Sequence, residues 1–80
     1  MQTEYPEKYK DLGLKIAYCR KKRGYTQEAL AEKIHKSPNF LAQVESTGTT
    51  KGISLETLFK IAEVLEIPPA KLLEDDSSDP

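Results

Sequence analysis

The stretch TQEALAEKIHKSPNFLAQVE, residues 26–45, decides the fold. Thr26 can cap a helix whose apolar side is Leu30, Ala31 and Ile34, at the three-to-four spacing of one helical face. Ser37-Pro38 then restarts a helix, a capping hydroxyl followed by a proline at the first helical position, where the missing N–H costs nothing. Leu41 and Val44 give this second helix its inward side, and it ends near Ser46. Only His35-Lys36 separates the two helices, too few residues for an antiparallel return, so they must cross steeply. A steep crossing needs a small residue where the backbones approach, and Ala31 is placed for it. The tight turn needs a residue in the left-handed region. His35 takes that position, and His tolerates positive φ better than most residues.

Working outward, Tyr9, Leu12, Ile16 and Cys19 recur at helical spacing and predict a preceding helix with Lys15, Lys22 and Arg23 on its other side and Gly24 at its stop. The residues ahead of Tyr9 carry no such pattern. Residues 47–53, TGTTKGI, are turn formers and predict a loop. Ser54 caps a fourth helix with Leu55, Leu58, Ile61, Ala62 and Leu65 as its stripe. Pro68-Pro69 ends it, and one further helical turn over Ala70–Glu74 carries Leu72 and Leu73. Nothing alternates with the period of a strand. The expected fold is all-α: a compact bundle of four helices plus a short fifth, with a helix-turn-helix formed by helices 2 and 3. Residues 1–6 are read as a loose leading segment, 7–74 as one domain, and 75–80 as a disordered acidic tail.

Eighty residues are about one small domain. One Cys cannot form an internal disulfide, and no charged-then-apolar leader is visible, so a cytoplasmic protein is expected. Apolar runs fall far short of the ~20 residues that span a bilayer, so no membrane association is expected. The net charge of −1 hides a division. Residues 1–51 carry ten Lys/Arg against six Asp/Glu, a balance of +4, whereas residues 52–80 carry two against seven, a balance of −5. The helix pair lies wholly in the positive part, which suits an anionic partner.

Catalysis finds little to work with. Cys19 falls on the buried stripe of the first helix and reads as a small core residue. His35 has no second His or Cys at ligand spacing, so no metal is expected. The GTTKG string at 48–52 lacks both the preceding strand and the Gly-Lys-Ser/Thr ending of a phosphate loop. Glu74, Asp75, Asp76 and Asp79 read as a solubilising tail. No enzyme, cofactor or small-molecule ligand is expected.

The strings LGLKIAYCRKKRGYTQEALAEKI, SPNFLAQVE and SLETLFKIAEVLEI, covering about residues 9–74, resemble the Cro/phage-repressor family of helix-turn-helix regulators. The resemblance implies that the helix at 37–46 is the recognition helix, its N-terminal part in the major groove of double-stranded DNA. With Leu41 and Val44 inward, Ser37, Pro38, Asn39, Ala42, Gln43 and Ser46 face outward. Asn39 and Gln43 can read a base edge, preferably adenine through N6/N7. Ser37 can reach a phosphate or cap its own helix, and Pro38 and Ala42 can touch a thymine methyl. The family places a phosphate-binding Gln where Gln27 stands. Arg20 and Glu45 match a pair that forms an interior salt bridge in many relatives, which makes Arg20 a scaffold residue; two surface charges are the alternative. Phe40 reads as packing at the edge of the core.

Two departures from the family pattern bear on the site. The acid Glu45 is followed by Ser46-Thr47-Gly48 where many relatives have a basic residue and Gly, and the loop to Ser54 is about two residues longer. The recognition helix carries no Lys or Arg, so guanine readout through an Arg fork is absent. Lys36 and Lys51 are the expected phosphate contacts, while Lys21, Lys22 and Arg23 fit solvated surface equally well. The function so implied is a sequence-specific DNA-binding transcriptional regulator, a repressor occupying an operator. It would act as a homodimer through the C-terminal region, where Leu65, Ile67, Leu72 and Leu73 either form the interface or close the domain's own core. The alternative is a protein-interaction module of the same fold, such as an antitoxin or anti-repressor, which the acidic pI and the Lys/Arg-free recognition helix favour.

Overall fold

A computed structural model describes residues 3–46 and 52–74. It contains α1 (Pro6–Lys22), α2 (Gln27–Lys33), α3 (Pro38–Glu45), α4 (Leu55–Leu65) and α5 (Pro69–Leu72), and no strand among the described residues. α1 starts three residues ahead of Tyr9. Pro6 opens it, having no N–H to satisfy, and Glu7 in the first turn suits the positive end of the helix dipole. Lys51, the threonines at 47, 49 and 50, and the segment 75–80 lie outside the described residues.

Three helices begin with the expected hydroxyl caps. Thr26 accepts from the Ala29 N–H at 3.0 Å, Ser37 from Phe40 at 3.0 Å, and Ser54 from Thr57 at 3.1 Å. Each satisfies one backbone donor that the first turn leaves without a helical partner.

Three helices also end alike. A left-handed residue follows the last turn, Gly24 after α1, His35 after α2 and Glu66 after α4, with φ of 81°, 60° and 60°. The next N–H reaches back five residues: Tyr25 to the Arg20 carbonyl, Lys36 to Ala31, and Ile67 to Ala62, all at 2.9–3.0 Å. This closure satisfies carbonyls the helix ends would leave bare, and it normally comes with an apolar residue at the donating position. Tyr25 and Ile67 obey, packing against the core. Lys36 does not. It stays exposed beside the start of α3, with its ammonium 5.2 Å from the centroid of the Phe40 ring.

The core is Ile16 from α1, Leu30 and Ala31 from α2 with Ile34 just beyond it, Leu41 and Val44 from α3, Leu58, Ile61, Ala62 and Leu65 from α4, and Leu72 from α5. Ala31 is fully buried, as a close helix crossing requires. A second close approach joins α1 to α3. A methyl group on Gly13 would collide with the Val44 carbonyl, so α3 lies against the backbone of α1 at a position that admits no side chain. Leu55 corrects the expected stripe of α4: it is 65% exposed. It opens the helix directly after the Ser54 cap, and Leu58, Ile61, Ala62 and Leu65 already fill the inward arc. Leu65 and Leu72 close the domain's own core, and Ile67 packs against it, whereas Leu73 is 60% exposed. No helix among the described residues is long and apolar enough to cross a membrane.

Candidate nucleic-acid interface

α3 is fixed on its inner side. Leu41 and Val44 anchor it to the core, and Glu45, at its last turn, is tied to α1 and α2 by charge and hydrogen bonds. Arg20 Nε donates to Glu45 Oε2 at 2.8 Å and Arg20 Nη2 to Oε1 at 3.0 Å, a bidentate fork. Arg20 Nη1 donates to the Tyr25 carbonyl at 2.7 Å, and Gln27 Nε2 donates to Glu45 Oε1 at 2.9 Å. The side chains of Arg20 and Glu45 are only 9% and 6% exposed. The expected interior bridge is therefore present, and the surface-charge alternative is excluded. Among the described residues no buried side-chain nitrogen or oxygen lacks a partner. A buried charge pair is tolerable on that condition, because each unmet donor or acceptor would add a desolvation cost.

The site residues expected from the sequence fall into three groups. Lys36, Ser37, Pro38, Asn39, Gln43 and Ser46 are all exposed. Asn39 and Gln43 stand one turn apart on the outer face of α3, so both can address one groove. Ser37 spends its hydroxyl on the Phe40 N–H, and Ala42 is half-buried at the edge of that face. Gln27 opens α2 as expected, with its amide nitrogen on Glu45.

The residue-by-residue expectations did not contain this last link, nor the part played by the Tyr25 carbonyl. The left-handed turn at Gly24 brings that carbonyl under the Arg20 guanidinium. A signal for it existed in the sequence, since Gly24 marks a closure that returns the next residue to the last turn of α1.

Against this geometry stand the likenesses to known proteins. The helix-turn-helix family model HTH_3 matches residues 16–72, well over half of the chain. The chain belongs to the Cro/C1-type helix-turn-helix family. Three solved structures share its fold. The restriction-modification controller protein C.AhdI from Aeromonas hydrophila is 26% identical, with a TM-score of 0.73 over 80% of this chain and 94% of that one. The N-terminal DNA-binding domain of SinR from Bacillus subtilis is 30% identical, with a TM-score of 0.73 over 84% and 96%. The clp gene regulator ClgR from Corynebacterium glutamicum is 29% identical, with a TM-score of 0.75 over 81% and 67%. No curated protein sequence matches the chain significantly. By family the chain is a DNA-binding regulator of transcription.

Proposed function

We propose that this helix-turn-helix regulator is a cytoplasmic repressor that reads double-stranded DNA with the outer face of α3. The observation that supports this best is the pairing of Asn39 and Gln43, exposed one turn apart on a helix whose inner side is locked by Leu41, Val44 and the Glu45 bridge. Each amide presents a donor and an acceptor, the pattern that matches adenine N7 and N6 in the major groove. Pro38 and Ala42 supply apolar contact to thymine methyls. Lys36 and Lys51 hold phosphates, joined by Ser46 and by Gln27, whose amide nitrogen also donates to Glu45 Oε1. Ser37 serves the site by capping the helix that carries the readers.

One small head covers few base pairs, so two copies are expected on half-sites ~34 Å apart. The homodimer uses the C-terminal region, where the exposed Leu55, Phe59 and Leu73 supply the apolar surface. Selection from a pool of random duplexes, at low and moderate salt, tests the reading. An enriched inverted repeat with affinity falling steeply as salt rises supports it. A folded protein that enriches no sequence refutes it in favour of a protein-interaction module.

A further inference from the structure

The outer face of α1 takes no part in the core, in the Arg20 bridge or in the α3 surface. Ile16 and Arg20 point inward, and Leu12 and Cys19 pack at the edge of the core. Directly opposite run Glu7, Asp11, Leu14, Tyr18 and Lys21, at alternating spacings of four and three, with Lys22 one turn beyond Tyr18, and all are exposed. Two of these are large apolar groups in water, Leu14 at 50% and Tyr18 at 65% exposure. The Lys22 ammonium lies 5.7 Å from the Tyr18 ring centroid, and Glu7 pairs with Lys10 at 3.7 Å while its side chain stays in solvent. The stripe therefore reads acid, acid, Leu, Tyr, base, base from one end of the helix to the other.

We infer that this face pairs with the same face of a second copy, the two α1 helices lying antiparallel about a two-fold axis at Leu14. That arrangement sets Leu14 against its own copy. It places Glu7 and Asp11 of one chain across from Tyr18, Lys21 and Lys22 of the other, and the symmetry repeats every ion pair. A parallel arrangement would stack acid on acid and base on base. A DNA backbone is a poor occupant because half of the stripe's charged residues are acidic, and the charges suit a second copy without any other partner. One helix face buries less than the ~1,200 Å² of a stable interface, so the contact is weak alone and gains strength where copies are already held close.

The test uses the full chain without DNA, followed by sedimentation velocity over a concentration series at low and high salt. Wild type should show salt-sensitive self-association. Glu7→Lys with Asp11→Lys makes the stripe wholly basic, Lys21→Glu with Lys22→Glu makes it wholly acidic, and each should weaken association by about tenfold as attractions become repulsions. Mixing the two double variants should restore it, and that recovery also shows that both are folded. Leu14→Asp, which sets two carboxylates at the axis, should abolish the same step. The inference is overturned if association is unaffected by Leu14→Asp or if the mixture pairs no better than either variant alone; an association that ignores Leu14→Asp and is lost with Leu55→Asp assigns self-association to the C-terminal region alone. None of these readings depends on whether Asn39 and Gln43 read bases.

Discussion

The two faces of α3 are built on opposite terms. Its inner face is over-determined: Leu41 and Val44 in the core, Gly13 admitting the Val44 carbonyl against the backbone of α1, and Glu45 held by three donors from two other elements. Its outer face carries Asn39 and Gln43, both exposed. The difference separates stability from recognition. Substitutions on the inner face should unfold the protein before they change what it binds, and substitutions on the outer face should change binding in a protein that remains as stable as wild type.

The largest expected effect lies on the inner side. Arg20→Ala strands the Glu45 carboxylate in a buried position with only Gln27 to satisfy it, and should destabilise the fold by ~3–5 kcal/mol. Urea denaturation followed by circular dichroism measures this directly, and a loss under ~1 kcal/mol would mean the pair behaves as surface charges do. For a domain this small, such a loss is a large part of the total stability.

On the outer side, Asn39→Ala or Gln43→Ala should cost ~1–3 kcal/mol of binding to the selected duplex and relax the preference at one base position, and Asn39→Ala should leave the denaturation midpoint unchanged. Equal weakening toward all sequences would sink the base-reading roles, because a phosphate contact carries no sequence information. A midpoint that moves with Asn39→Ala would show that the two faces are not independent.

Ser37 sits at the border between the faces, and its replacement sharpens the division. Ser37→Ala removes the acceptor for the Phe40 N–H, so ~1 kcal/mol of stability should be lost. If the hydroxyl acts only as a cap, affinity for DNA measured well below the melting point should hold. A loss of affinity with no loss of stability would instead make Ser37 a phosphate contact.

What the sequence disclosed follows the same division between local and distant causes. The caps at Thr26, Ser37 and Ser54 and the left-handed turn at His35 are settled by residues within a few positions of one another, and all four stand where the pattern places them. The Arg20–Glu45 bridge spans twenty-five positions, and only resemblance to a family pointed to it. Gly13 was silent because its reason is the carbonyl of Val44, brought there by tertiary packing that no local pattern encodes. Leu55 misled because a helical stripe marks which residues share an arc and not where that arc meets the core's edge. The Gln27 amide was legible as a polar group at a helix start, but its bond to Glu45 depends on how α2 meets α3. Asn39 and Gln43 could be placed outside by elimination, since Leu41 and Val44 claim the inside.

The smallest effect concerns the turn that sets the two helices at their angle. Gly24, His35 and Glu66 occupy the same left-handed conformation, yet only the first is the residue that adopts it without steric cost. His35→Gly should therefore stabilise the domain by up to ~1 kcal/mol, the relief of a side chain from the left-handed region offset by the added freedom of glycine in the unfolded chain. The sign of the change carries the information. A gain means that His35 is tolerated strain, held in place because Lys36 must close α2 onto the Ala31 carbonyl while its ammonium remains outside over Phe40. A loss would mean that the imidazole itself contributes at the turn, and DNA affinity measured on the same variant then decides whether that contribution belongs to the fold or to the binding face.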